Sequence, residues 1–260
     1  MNKHPIALAV ALAFATSFAL TGCDRLSNLS EQEHIQRAKD FEAKGDLKGS
    51  VIELKNAIQK NPNSPQARLL LGEFYLKSGL GAEAEKELRR AGALGMNPAS
   101  LAAPIAESLL LQREYKQLLE EINLTGKESA ANRARIMRMR GNALAGLGKL
   151  DEGCELYQAA LTADASHVPV YWGLANCAYA KGQADVAHGH IQAALKVEPG
   201  NADTWVLLGD LERDAKNLAA AEAAYTNALK HDSGKVSALV NRGTLSSPPA
   251  TRMPRKKIWP

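Results

Sequence analysis

The sequence predicts an all-α protein in which antiparallel helix pairs stack into a right-handed superhelical solenoid. Three observations predict this fold class. A period of 34 residues runs from residue 31 to residue 243, and a fixed period of this length is typical of stacked repeats. Within each period, apolar residues recur with helical spacing on two successive segments. Aromatic residues make up only 5% of the chain while Ala, Leu and Glu are frequent, which favours helices over a sheet.

The same residue types return at the same positions of each period, numbered here from the first residue of the repeat. Apolar positions 4, 7 and 11 share one face of a first helix, and positions 20, 24 and 27 share one face of a second. Small residues at positions 8, 20 and 27 allow close packing, glycine near position 15 suits the turn, and proline at position 32 ends the second helix. The repeats begin at Glu31, Pro65, Ala99, Ala134, Val168 and Ala202, and a seventh begins at Val236.

This pattern resembles the tetratricopeptide repeat over residues 31–243. A single helix pair leaves apolar surface uncovered, so at least three pairs must stack. The third repeat fits least well, because Arg113 stands at the turn position, Thr125 stands at position 27, and the repeat is one residue longer than the others. Arg140 occupies position 7 of the fourth repeat, which is apolar elsewhere. We therefore expect a looser joint at residues 113–133.

Residues 1–22 have the organisation of an export signal. Lys3 precedes an apolar run over residues 6–20, which is too short for a comfortable membrane span and typical of a signal-peptide core. The run ends in Leu-Thr-Gly before Cys23. This resembles the bacterial lipobox, which implies cleavage before Cys23, acylation of that residue, and a lipidated linker over residues 23–30. The alternative is an ordinary signal peptide or an N-terminal anchor with a chance cysteine.

A lipidated Cys23 would hold the protein on a membrane, since each buried methylene of an acyl chain contributes about 0.8 kcal/mol. We expect a lipid-anchored protein on the periplasmic face of the cell envelope. Asp24 follows the cysteine and resembles an inner-membrane retention signal of enteric bacteria. Because that rule varies between lineages, the choice between inner and outer membrane stays open.

The basic character of the chain lies in its last residues. Residues 244–260 contain four prolines and four bases and no acid, whereas residues 23–243 carry 27 bases against 28 acids. A near-neutral body does not suit phosphate binding, so no nucleic-acid partner is expected. The prolines predict a disordered basic tail without helix. Our preferred interpretation is a frameshift or truncation in a longer repeat protein, and the alternative is a natural disordered tail.

No catalytic, cofactor or metal site is expected in this sequence, because Asp and Glu are spread over the repeats without a convergent pair. His188 and His190 are two residues apart on a predicted helix and therefore point to different faces. Cys154 and Cys177 fall on neighbouring predicted helices, so a disulfide is possible in an oxidising compartment. Two buried, unbonded thiols are the preferred interpretation.

Binding is expected in the concave groove of the solenoid, where positions 2, 5, 9 and 12 of the first helices face a protein or peptide ligand. Asparagine at position 9 of two successive repeats can hydrogen-bond an extended backbone, and aromatic residues can anchor an interface. The arrangement partly resembles the carboxylate clamp of chaperone-binding family members but departs from it at Val206 and Asp210. The groove candidates are Arg138, Asn142, Trp172, Asn176, Tyr179, Asp210 and Arg213. The alternative is that they are solvated helix positions.

The segment 38–95 resembles the start of the tetratricopeptide lipoprotein family of the PEP-CTERM/exosortase system, often called PrsT. Three stretches carry this resemblance: residues 44–46 (KGD), 69–72 (LLLG) and 84–91 (AEKELRRA). The resemblance implies a longer protein that acts as a scaffold in envelope sorting or exopolysaccharide export. The alternatives are a type IV pilus assembly lipoprotein and a non-catalytic regulatory arm of a larger enzyme.

Overall fold

A computed structural model describes residues 29–245, in which thirteen α-helices and no strands are present. The export signal, Cys23 and residues 246–260 lie outside the described residues. The helices are α1 (Glu31–Ala43), α2 (Leu47–Lys60), α3 (Pro65–Lys77), α4 (Gly81–Ala93), α5 (Pro98–Gln112), α6 (Tyr115–Glu121), α7 (Ala130–Gly146), α8 (Leu150–Ala163), α9 (Val168–Ala180), α10 (Ala184–Val197), α11 (Ala202–Asp214), α12 (Leu218–His231) and α13 (Val236–Leu245).

Consecutive helices pack as pairs, and the pairs stack in chain order. The pairs α1/α2, α3/α4, α7/α8, α9/α10 and α11/α12 are in extensive contact, and each second helix, including α6, also packs on the first helix that follows it. Because α6 is short, α5 contacts α7 directly as well. This arrangement confirms the predicted all-α solenoid. No helix within residues 29–245 combines the length and apolar character that crossing a bilayer requires.

Left-handed residues at position 15 make the turns within the pairs. Gly45, Gly79, Gly148 and Gly182 have φ values between 72° and 82°, which glycine adopts without strain. Arg113 and Lys216 occupy the same position with φ values of 62° and 67°. The backbone geometry of this turn is therefore kept in all six repeats, including the two that lack glycine.

Close packing of the pairs depends on the small residues that the repeat pattern predicts. Position 27 holds a fully buried alanine in five repeats: Ala57, Ala91, Ala160, Ala194 and Ala228. Position 8 holds only alanine or glycine, and at Gly209 an added Cβ would lie 2.5 Å from the ring of Tyr225. These positions bring the helix backbones together, so a larger side chain there would force the pair apart.

The third repeat departs from the others in the way expected at residues 113–133. Helix α6 has seven residues and ends at Glu121, and residues 122–129 are irregular. Arg140 explains this ending: its Nη1 donates to the carbonyls of Leu119 at 3.0 Å and Ile122 at 2.5 Å. The arginine at an apolar position thus satisfies carbonyls at the end of α6, which would otherwise lack partners.

The helix of the seventh repeat, α13, extends slightly beyond the expected boundary. We predicted a tail without helix from residue 244, but Thr244 and Leu245 belong to α13. The first proline of the tail is Pro248, so nothing in the chain prevents the helix from continuing for these two residues. The remaining residues of the predicted tail lie outside the described part of the chain.

Candidate functional site

The groove candidates lie on three successive first helices. Arg138 and Asn142 are on α7, Trp172, Asn176 and Tyr179 are on α9, and Asp210 and Arg213 are on α11. The structure separates them into two groups. Those on α7 and α9 are partly exposed, whereas on α11 Asp210 is buried and the partly exposed Arg213 pairs with it.

Arg138 and Asn142 are connected on α7. The amide of Asn142 is oriented so that its oxygen faces a donor and its nitrogen faces an acceptor. The oxygen then accepts from Nη1 of Arg138 at 3.2 Å, and the nitrogen lies 2.7 Å from the hydroxyl of Tyr157. Nε of Arg138 lies 3.3 Å from Nε2 of His167, just before α9. Burial, with a contribution from Arg138, lowers the pKa of His167 to about 4, so the neutral ring can accept this hydrogen bond at neutral pH.

The guanidinium of Arg138 lacks an acidic partner. No carboxylate of residues 29–245 lies within ion-pair distance of it. Burial lowers the pKa of Arg138, while the charge of Glu107 raises it and that of Arg135 lowers it. A partly buried arginine without a bonded carboxylate is suited to receive an acceptor group from a ligand.

The α9 candidates differ in how their polar atoms are used. Nε1 of Trp172 donates to Oγ1 of Thr204 at 2.9 Å, and the hydroxyl of Tyr179 donates to Oδ2 of Asp214 at 2.8 Å. Both aromatic residues therefore connect α9 to α11. Asn176 lies between them, and its amide makes no hydrogen bond within the described residues. Its donor and acceptor are available to a ligand backbone.

Asp210 and Arg213 form part of the scaffold. Asp210 is 7% exposed, and its Oδ1 accepts from the hydroxyl of Tyr225 at 2.7 Å and from Nδ2 of Asn241 at 2.9 Å. Arg213 lies 3.0 Å from the same oxygen. Because Asp210 is buried and bonded within the protein, and Arg213 pairs with it, we restrict the candidate site to the other five residues. We call these the binding face: Arg138, Asn142, Trp172, Asn176 and Tyr179.

The sequence interpretation missed charged residues on the earlier first helices. Lys77 pairs with Glu42, and Arg135 pairs with Glu107. Glu73 lies near the first pair and Arg135, and burial raises its pKa. Glu73 and Glu107 stand at position 9 and Glu42 stands at position 12, so the positional rule used for the last three repeats would have found these carboxylates. They extend the polar surface of the first helices towards α1.

A disulfide joins Cys154 on α8 to Cys177 on α9, with a Cα–Cα distance of 5.9 Å. Our preference for two unbonded thiols was wrong. The sequence placed both residues on neighbouring helices, but their side-chain distance depends on how α8 and α9 pack. The bond fixes α9, which carries Asn176 next to Cys177, against the preceding repeat. The lipid-attachment candidate Cys23 lies outside the described residues.

Comparison with known families identifies the repeats. Two family models, both described as tetratricopeptide repeat, match the chain: one over residues 43–106 and the other over residues 138–187 and 173–236. Together they span more than half of the sequence. A search among curated proteins gives no match.

Several solved structures have a similar fold. A structure of PilF from Pseudomonas aeruginosa has a TM-score of 0.55 at 18% identity and covers 82% of this chain and 96% of its own. A tetratricopeptide repeat protein from Parabacteroides merdae has a TM-score of 0.55 at 15% identity, with 83% and 98% covered. MamA from Desulfovibrio magneticus RS-1 has 0.52 at 19% identity, with 65% and 95% covered. At these identities the likeness establishes the fold alone.

Proposed function

This chain belongs to the tetratricopeptide-repeat family, and on that premise we propose that it is a non-catalytic scaffold that binds a protein segment on the binding face of α7 and α9. Tetratricopeptide repeats are suited to protein–protein interaction because the stacked first helices offer a long continuous surface. The ligand would be an extended segment, whose backbone groups need side-chain partners at regular intervals.

The observation that carries this proposal is the unused amide of Asn176. It follows Asn142 by one repeat and lies between the rings of Trp172 and Tyr179 along α9. Both rings are held towards α11 by hydrogen bonds. An amide on the same helix face as two aromatic side chains can hydrogen-bond a peptide group while the rings contact the neighbouring groups of the ligand. Arg138, without a bonded carboxylate, offers a second contact point on α7.

The membrane anchor is a separate part of the proposal and rests on the sequence before residue 24. Acylation of Cys23 would place the repeats at the periplasmic face of a membrane, inner or outer, through a linker of about eight residues. Replacing Cys23 with Ser should release the protein from the membrane fraction and prevent labelling with an alkyne-bearing fatty acid. Equal labelling of both forms would contradict the lipid anchor.

The cellular system that we propose is PEP-CTERM/exosortase-linked envelope sorting or exopolysaccharide export. It is supported by the resemblance of residues 38–95 to the PrsT family. A role in type IV pilus assembly is the second candidate, and the fold likeness to PilF over most of both chains favours it. The two candidates predict different partners, so partner identity distinguishes them.

Affinity capture from detergent-solubilised membranes tests the binding face. The wild-type chain is compared with a variant carrying Arg138→Gln and Asn176→Ala, and with a control carrying Lys196→Ala at an exposed position of α10. We expect the control to retain the wild-type partners and the double variant to lose them. The captured proteins are identified by mass spectrometry. Components of polysaccharide export would favour the first cellular system, and components of a pilus would favour the second. Full capture by the double variant would remove this face from the proposal.

A further inference from the structure

Within residues 29–245, the groove positions of the first helices carry one carboxylate without an ion pair. The acids at positions 2, 5, 9 and 12 of these helices are Glu42, Glu73, Glu107, Asp203 and Asp210. Four of them pair with a lysine or an arginine. The exception is Glu73 on α3, which makes neither an ion pair nor a hydrogen bond within the described residues.

Two ion pairs between first helices surround Glu73. The charges of Lys77, Arg135 and Glu42 all act on its carboxyl. Lys77 pairs with Glu42 of α1, and Arg135 of α7 pairs with Glu107 of α5. Both nearby bases therefore already have a carboxylate. These five side chains carry three negative charges and two positive ones, so this part of the groove has one negative charge in excess.

The partial burial of Glu73 makes its lack of a partner costly. The residue is half-buried on α3, and this burial raises the pKa of its carboxyl because it removes water from the charged form. No donor within residues 29–245 replaces that water. A lysine or arginine of a ligand would supply both N–H donors and the opposite charge. A cation is therefore the group that this position lacks.

The other unpaired charges at the groove positions of the described residues are bases. Lys39 on α1 and Arg138 on α7 have no carboxylate within ion-pair distance there, and neither contributes to the pKa of Glu73. The groove positions of α9 carry no charge. A bound segment thus meets one unpaired acid, at Glu73, and an unpaired base on either side of it.

The separation of Glu73 and Arg138 sets a spacing in the ligand. Helices α3, α5 and α7 contact one another in chain order. Because packed helices lie about 8–10 Å apart, two such steps separate the side chains by up to about 20 Å. An extended chain advances about 3.3 Å per residue. A complementary segment therefore has its basic and acidic residues up to about six positions apart.

We propose that Glu73 is a specificity-determining residue, which selects a lysine or arginine in the extended segment that the groove binds. This inference rests on the proposed function, because it identifies the chemistry of the segment held by the binding face. The segment continues from Asn176 past Arg138 to α3, with an acidic residue at Arg138 and a basic residue at Glu73. The two charges then fix its register on the first helices.

A phage-displayed library of random peptides supplies the probe. Peptides of about twelve residues are long enough to extend from α9 to α3. The full wild-type chain is immobilised, the bound peptides are sequenced, and the most enriched peptide is synthesised with a fluorescent label. We expect the enriched sequences to contain Lys or Arg, with Asp or Glu up to about six residues away. Fluorescence anisotropy then measures the affinity of the labelled peptide for the full chain.

A double-mutant cycle tests the contact at Glu73. Glu73→Gln removes the charge and keeps the shape of the side chain, and norleucine in place of the peptide's base removes the opposite charge. We expect each change alone to weaken binding about tenfold. Once one change is made, the other should have an effect of less than about twofold. Glu83→Gln, at an exposed position of α4 in the same repeat, is the matched control and should bind like the wild type.

The outcomes separate this inference from the proposed function. Coupling between Glu73 and the peptide's base, together with weaker binding by Asn176→Ala, would support both. The inference is overturned and the binding face retained if Asn176→Ala weakens the selected peptides but they lack a base. The same conclusion follows if Glu73→Gln binds them like the wild type or like Glu83→Gln. No enriched peptide, or binding that Asn176→Ala leaves unchanged, would contradict the proposed function and this inference together.

Discussion

The hydroxyl of Tyr225 donates a 2.7 Å hydrogen bond to the buried carboxylate of Asp210. The two residues stand at positions 24 and 9 of the sixth repeat. Tyr157 and Asn142 occupy the same positions of the fourth repeat, with the same distance between their polar atoms. Burial raises the pKa of Tyr225, so its hydroxyl remains a donor. Where position 24 is tyrosine, the polar residue at position 9 therefore holds the helix pair together.

Replacing Tyr225 with Phe should lower the free energy of unfolding by about 1–3 kcal/mol, because Asp210 loses a donor while remaining buried. Denaturation by urea measures the change. Tyr115→Phe is the control, since the hydroxyl of that partly buried tyrosine makes no hydrogen bond within residues 29–245. Equal stability of the two variants would mean that the bond to Asp210 contributes little.

Lys216 offers a stabilising substitution. It adopts a φ of 67° at the turn between α11 and α12, a conformation that is unfavourable for residues other than glycine by about 1–2 kcal/mol. Lys216→Gly should therefore raise the free energy of unfolding, by about 1 kcal/mol once the greater flexibility of glycine in the unfolded chain is included. Gly182→Ala at the equivalent turn should have the opposite sign. A destabilised Lys216→Gly variant would contradict this interpretation of the turn.

Arg140 should be needed for the ending of α6. Arg140→Leu removes the donor to the carbonyls of Leu119 and Ile122, which we expect to destabilise the chain by about 1–3 kcal/mol. Hydrogen exchange should rise in residues 118–124 more than in α8. Arg133→Leu on the same helix, where no side-chain bond of Arg133 exists within the described residues, is the control. Unchanged exchange in α6 would show that its ending does not depend on Arg140.

The disulfide should stabilise the stack between the fourth and fifth repeats. Its two cysteines are 23 residues apart, and closing a loop of this length stabilises a protein by about 3 kcal/mol in the chain-entropy model. A reductant should lower the midpoint of urea unfolding of the wild-type chain and leave that of the Cys154→Ser/Cys177→Ser variant unchanged. If reductant leaves the wild-type midpoint where it is, the bond is absent or contributes nothing.

His167 should make stability depend on pH in a defined range. Burial, with help from Arg138, lowers its pKa to about 4 from an ordinary value of 6.5. As pH falls from about 6.5 to about 4, the unfolded chain gains a proton that the folded chain resists, so stability falls. His167→Gln should flatten this part of the profile, whereas His231→Gln at an exposed site should not. If stability depends on pH in the same way for wild type and His167→Gln, the lowered pKa of His167 is contradicted.

The repeat pattern predicted the helix pairs because small residues and glycines recur at positions with a fixed steric role. It could not predict that Asp210 is bonded inside the fold, because the partners of that carboxylate, Tyr225 and Asn241, come from two other helices. The same limit applies to Arg140, because its hydrogen bonds to the end of α6 depend on how α6 and α7 pack. A polar side chain that stabilises the fold and one that binds a ligand look the same in the sequence. Only the hydrogen-bond partners in the structure distinguish them.

The central claim, that α9 presents a protein-binding surface, is tested most directly by photo-crosslinking in living cells. A photoreactive amino acid is placed at Asn176 and, separately, at exposed Lys196 on α10. We predict a discrete crosslinked protein from position 176 that is absent from position 196. The binding surface on α9 would be contradicted if position 176 gave no crosslink, or if position 196 crosslinked the same protein in equal yield.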